Sequence, residues 1–265
     1  YAKHPQPAYL DHPGLVGVLA SSLGGGGIPS PAAAHVATAA LATAFPWFVV
    51  VVARQLGASL RPAAVAGLVV AATPEIGVGL FAMTPDLLLS FLWLAFLGLC
   101  AAALESAPKS GRAAALFLAT GVLAGAAATA KVTGGLLLPA MAIVVWQQAK
   151  HRRSPWPWLG IAVGLVPIAR VVLFEAHEGW PMLRHRLVDT QHAAGFSLRN
   201  VGALFGGQLL YLSPIVAVLA VLAARDLVRS RRAAPLLFWT FALPIVPLVV
   251  LCLWSRVAEP HWLAP

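Results

Sequence analysis

The chain has 265 residues, 60% of them hydrophobic and only 10% charged. A soluble domain carries about 25% charged residues, so a globular fold exposed to water on all sides is excluded. The net charge of +9 sits in short connections between apolar runs, which leaves no element long enough to read a nucleic-acid groove.

In chain order, residues 14–23 form an apolar stretch too short to cross a bilayer and fit an interfacial helix. Four consecutive glycines, Gly24–Gly27, then break it. A span needs about 20 mostly apolar residues. Eight runs qualify: 31–53, 62–83, 86–107, 112–131, 133–149, 156–174, 201–224 and 234–254. Pro46, Pro74, Pro139, Pro167, Pro214, Pro244 and Pro247 fall within these runs. Membrane bundles tolerate such prolines because neighbours satisfy the freed carbonyls, so kinked spans are expected. Cys100 and Cys252 both lie inside apolar runs, where neither a disulfide between them nor a ligand cluster is expected. The chain opens on Tyr1 and closes on Pro265 just after a short polar stretch, and we read it as a piece of a longer protein. The expected architecture is an all-α polytopic membrane protein, one domain over residues 1–265, with about eight spans and one interfacial helix.

The ionisable residues fall at the ends of these runs and divide cleanly. One set of ends holds Arg54, Arg61, Lys109, Arg112, Lys150, Arg152, Arg153, Arg225, Arg229, Arg231 and Arg232, with only Glu105 and Asp226 as acids. The other holds Asp11, Glu75, Asp86, Glu175, Glu178, Asp189 and Glu259 with seven of the eight histidines. By the positive-inside rule the first face is cytoplasmic. The second is then periplasmic or extracellular, with a bacterial inner membrane as the expected location. Function is to be sought on that outer face.

Four constellations stand there. Tyr9-Leu10-Asp11-His12-Pro13-Gly14 precedes the interfacial helix; Asp11 could simply cap it, but a cap does not need the adjacent His12. Met83-Thr84-Pro85-Asp86 forms a turn between two spans and puts Asp86 in the first turn of the next helix, where capping is again the plain alternative. Glu75, eight residues before Met83, is expected roughly two turns inside the membrane, where a carboxylate costs about 2.5–3.5 kcal/mol. Lys131, among small residues at an outer end, can snorkel or meet a lipid phosphate. The longest outer loop, 174–199, carries Glu175, His177, Glu178, Trp180, Arg184, His185, Arg186, Asp189 and His192. An amphipathic surface helix is expected over 181–192. Its arginines offer bidentate phosphate contacts, while its histidines lack a zinc spacing.

The strings YLDHPGL (Tyr9–Leu15), MTPD (Met83–Asp86), AKVTGGLLLP (Ala130–Pro139), EAHEGW (Glu175–Trp180), Gly207-Gln208-Leu209-Leu210 and EPHW (Glu259–Trp262) follow in an order that resembles the ArnT-like and protein-mannosyltransferase-like membrane glycosyltransferases of the GT-C fold. The resemblance covers essentially the whole chain. It implies a polyprenyl-phosphate sugar donor, transfer of the sugar to a lipid, glycan or protein acceptor, and action on the outer side. In that family an Asp-Glu pair stands upstream of the HPP/HPG motif and further spans follow the HW motif; both would lie beyond these 265 residues. Inverting transfer needs a carboxylate to take the acceptor's proton and cations to steady the departing phosphate. Asp86, Asp11 and His12 are the catalytic candidates. Lys131 and Arg184 are donor-phosphate candidates, and Glu75, His177, Glu178 and His261 are substrate-binding ones. A divalent metal finds no support in the spacing.

Two other readings compete. A transporter or flippase of a lipid-linked or small polar solute would use Glu75 and Lys131 at depth, but it calls for polar residues on both faces of the bundle. A non-catalytic scaffold does not account for the clustered His, Asp, Glu and Arg of the outer loop.

Overall fold

A computed structural model describes residues 2–74, 76, 82–189, 195–196 and 198–254, without the side chains of Arg186 and Gln208. Every regular element among them is helical: α1 Leu15–Leu23, α2 Pro31–Gln55, α3 Leu60–Ala71, α4 Pro85–Glu105, α5 Gly111–Ala130, a 3-10 turn Val132–Leu136, α6 Leu137–Gln147, α7 Ala149–Arg152, α8 Pro155–His177, α9 Pro181–Leu187, α10 Leu198–Leu212, α11 Pro214–Arg229 and α12 Pro235–Trp254.

Local chemistry sets the helix ends. Ser30 accepts from the Ala33 N–H at 3.1 Å with Pro31 in the first helical position, and Ser110 caps α5 through the Ala113 N–H at 3.1 Å. Both satisfy amides that would otherwise lack partners. After α1 the chain turns through Gly25 and Gly26, with φ of +61° and +95°, a region open to glycine but strained for other residues.

Five of the described helices are long and apolar enough to cross a membrane: α2, α4, α5, α8 and α12. The expected run 201–224 is instead two helices, α10 and α11, bent by 107° at Ser213-Pro214. The expected runs 62–83 and 133–149 overlap the shorter apolar helices α3 and Val132–Gln147, with residues 75 and 77–81 of the first run outside the described residues. The difference from eight spans has a physical origin. Apolar run length does not reveal where a helix breaks, and Lys131 adopts an extended backbone (φ −148°, ψ 140°) that ends α5 and opens the 3-10 turn. The prolines divide similarly. Pro46, Pro167, Pro244 and Pro247 lie inside helices. Pro139 falls in the first turn of α6, Pro214 begins α11, and Pro74 follows α3, all places where the missing N–H removes no helical bond.

The core is built on α4, α5 and α6, with Phe96, Cys100, Phe117, Leu137 and Met141 fully buried. A smaller cluster of Phe45 and Leu87 joins α2 to the N-terminal end of α4. The tightest contact is α5 against α8. A Cβ on Gly121 would lie 1.8 Å from the Gly160 carbonyl oxygen, and one on Gly164 would lie 2.6 Å from that of Gly121. Gly121/Gly125 and Gly160/Gly164 are two facing small-xxx-small pairs, which let membrane helices approach backbone to backbone.

At the basic end, α7 and the start of α8 latch onto the α4–α5 hairpin. The His151 Nε2–H donates to the Leu104 carbonyl at 2.8 Å and the Ser154 hydroxyl to the Pro108 carbonyl at 2.7 Å. At the opposite end, α1 lies against α2, α4 and α5.

Candidate functional site

Helices α4 and α5 are joined by a five-residue connection and pack closely, so the N-terminus of α4 and the C-terminus of α5 meet at one end. Asp86 is in the first turn of α4 and Lys131 caps the end of α5. Each charge suits the local helix dipole, an acid at a positive end and a base at a negative one. They also meet each other: Lys131 Nζ is 2.5 Å from Asp86 Oδ1, with side chains only 12% and 19% exposed. Beside them the Thr84 hydroxyl, at the N-cap position of α4, is buried with no hydrogen-bond partner. The pair is thus an ammonium and a carboxylate largely withdrawn from water, next to an unsatisfied hydroxyl, at the end where α1 packs.

The segment before α1 presents a second pair. Tyr9 and His12 bracket a two-residue turn, the Tyr9 N–H donating to the His12 carbonyl at 2.9 Å, and Gly14 N–H donates to the Pro7 carbonyl at 2.9 Å. The Tyr9 hydroxyl donates to the His4 carbonyl and accepts from the Gln6 N–H. A Cβ on Gly17 would lie 2.5 Å from that hydroxyl oxygen, so the ring is seated on α1. The N-cap of α1 is Gly14, without a side-chain cap; Asp11 is therefore not the helix cap that its position suggested. Its carboxylate instead lies 3.5 Å from Nε2 of His185 on α9. His12 is half-buried in the same turn.

The remaining expected residues separate. Arg184, His177 and Glu178 are exposed, and the structure gives their side chains no partner among the described residues. Of the expected surface helix over 181–192, the described residues form the seven-residue α9, and residues 190–192 lie outside the described residues. Glu75 and His261 lie outside the described residues. Among the described residues no three His, Cys, Asp or Glu side chains gather as a metal-ligand set.

Two residues of this end, Glu175 and His185, stood in the outer loop but not among the expected site residues. Glu175 is buried, 2% exposed, and its Oε2 accepts from the Met182 N–H at 2.9 Å. The expected run ends at residue 174, so only the extension of α8 to His177 shows Glu175 as an acid in a last turn, where it opposes the dipole and calls for another partner. A cavity of about 700 Å³ between α2 and α3, lined by Ala39, Pro46, Trp47, Val50, Gly67 and Leu68 among others, is almost wholly apolar. It offers room for hydrocarbon and no group for proton or phosphate chemistry.

Compared with known proteins, residues 27–174 match a family model described as dolichyl-phosphate-mannose-protein mannosyltransferase. The match takes in more than half of the chain and contains both Asp86 and Lys131. No curated protein and no solved structure matches the chain.

Proposed function

The chain belongs to the dolichyl-phosphate-mannose-protein mannosyltransferase family, and from that membership we propose that it moves a hexosyl or pentosyl group from a polyprenyl-phosphate donor to an acceptor on the outer face of the membrane. The protein is an integral membrane glycosyltransferase of the GT-C type. The acceptor class is a lipid, a glycan or a protein.

The observation that carries the reading is the Asp86–Lys131 pair at the shared end of α4 and α5. In inverting transfer an acceptor oxygen attacks the anomeric carbon. The bond from that carbon to the phosphate oxygen breaks, the polyprenyl phosphate leaves with the electron pair, and a base takes the acceptor proton. Lys131 is the group that steadies the departing phosphate, since a preorganised cation in a water-poor site stabilises charge as it develops. Asp86 is the base. An arriving phosphate competes with Asp86 for the ammonium, so donor binding releases the carboxylate to accept a proton. The Asp11–His12 turn, anchored through Tyr9 on α1, stands ready to orient the acceptor. The apolar cleft between α2 and α3 suits part of an isoprenoid chain.

The test is transfer of radiolabelled sugar from polyprenyl-phosphate donors in membranes expressing the whole protein, wild type and Asp86→Asn. Transfer by the wild type alone, with both proteins inserted and stable, supports the assignment. Wild-type rates in Asp86→Asn remove Asp86 as the base, and no transfer from any donor removes the donor class.

A further inference from the structure

A buried carboxylate at the end of α8 does something its own helix does not need. Glu175 is two residues before the C-terminus of α8, where the dipole disfavours an anion. Its Oε1 is buried without a partner, and leaving an acceptor desolvated in this way costs about 1–3 kcal/mol. An apolar side chain would serve α8 better.

What the carboxylate serves is the next helix. After α8 the chain reverses through Gly179 (φ +79°) and Trp180 (φ +62°), and the Trp180 N–H donates to the Glu175 carbonyl at 2.6 Å. Pro181 begins α9 and has no N–H. Glu175 Oε2 then accepts from the N–H groups of Met182 at 2.9 Å and Leu183 at 3.4 Å. The N-cap residue of α9, Trp180, supplies no capping side chain, so the cap comes from α8. A helix of seven residues is far below the length that holds itself together in water. Its position depends on that cap and on the burial of Met182. One turn on, α9 presents His185 to Asp11 at 3.5 Å.

We propose that Glu175 is a positioning residue: its carboxylate seats α9 so that His185 meets Asp11 and holds the Asp11–His12 turn over the outer ends of α4 and α5. Only its consequence for transfer rests on the glycosyltransferase reading; the placement of α9 does not.

The test uses nitroxide labels at Leu10→Cys and Leu187→Cys, both exposed positions, while the native Cys100 and Cys252 are buried. Dipolar broadening of the EPR spectrum reports their proximity in the whole protein. Strong broadening is expected with native Glu175, loss of it in Glu175→Leu, and its return in Glu175→Gln, whose amide oxygen accepts the same N–H bonds. Transfer is expected to fall about ten- to a hundredfold in Glu175→Leu, the scale of a small misplacement of a site group, chiefly in kcat, and to recover in Glu175→Gln. Undiminished broadening in Glu175→Leu overturns the proposal. So does loss of broadening in a folded Glu175→Gln, which keeps the proposal decidable if the leucine variant fails to fold. If broadening behaves as expected and the wild type transfers no sugar, the seating of α9 stands and the enzymatic reading fails.

Discussion

The α5–α8 contact can be challenged with one methyl group. In Gly121→Ala the new Cβ would sit 1.8 Å from the Gly160 carbonyl oxygen and 2.5 Å from its carbonyl carbon. Ordinary contact begins near 3.4 Å, so the helices must part locally by about 1.6 Å. The obstacle is backbone on both sides, and no side chain can swing away. Parting by even 0.5–1 Å forfeits roughly a quarter to a half of the dispersion energy of each contact. Gly125 against Gly164 and Gly160 against Phe117 lose theirs together. In lipid no hydrophobic driving force between helices compensates, since the tails are as apolar as the core. The expected destabilisation is about 3 kcal/mol, the upper end for overpacking, or about 6–12 °C in melting temperature for a chain of this size. Thermal unfolding in detergent, followed by fluorescence of the nine tryptophans, measures it. Gly111→Ala, where a Cβ meets nothing within 4 Å, serves as the control and is expected to be neutral or slightly stabilised. If Gly121→Ala melts no lower than this control, close backbone packing is not what joins α5 to α8.

Two further outcomes follow from the ends of the bundle. In a double-mutant cycle of Asp86→Asn and Lys131→Met, the mostly buried pair is expected to show a coupling of about 1–3 kcal/mol. Lys131→Met alone should be worse than the double variant, because it strands a desolvated carboxylate; additive effects in the melting temperatures would show that the two charges do not depend on each other. At the basic end, burial holds the His151 imidazole below its ordinary pKa, its hydrogen bond to Leu104 acts the other way, and Lys150 lowers it further. The folded protein therefore binds fewer protons than the unfolded chain. His151 contributes its full stability above the ordinary value near 6.5 and loses it as pH falls through the lowered one. Melting temperature should fall on acidification from pH 7 to pH 5, and less steeply in His151→Gln; an unchanged slope in that variant would assign the effect to other groups.

Run length and short connections made the membrane class and most helix positions readable from the sequence, because hydropathy and helix formation are local properties. Asp86 in the first turn of a helix and Lys131 at the end of another were equally legible. The facing Gly121/Gly125 and Gly160/Gly164 pairs were written there too, as two small-xxx-small patterns, but their partnership lies across 39 residues and only packing reveals it. Other features belong to tertiary structure alone. Pro214 marks locally where the helix breaks, but nothing local sets the 107° angle of the bend or the pairing of Asp86 with Lys131 across 45 residues. Nor does anything local show that Asp11 faces His185 instead of capping α1. A side chain's partner is chosen by which helices share a core, and for Glu175 that choice turned an acid unsuited to its own helix into the cap of the next.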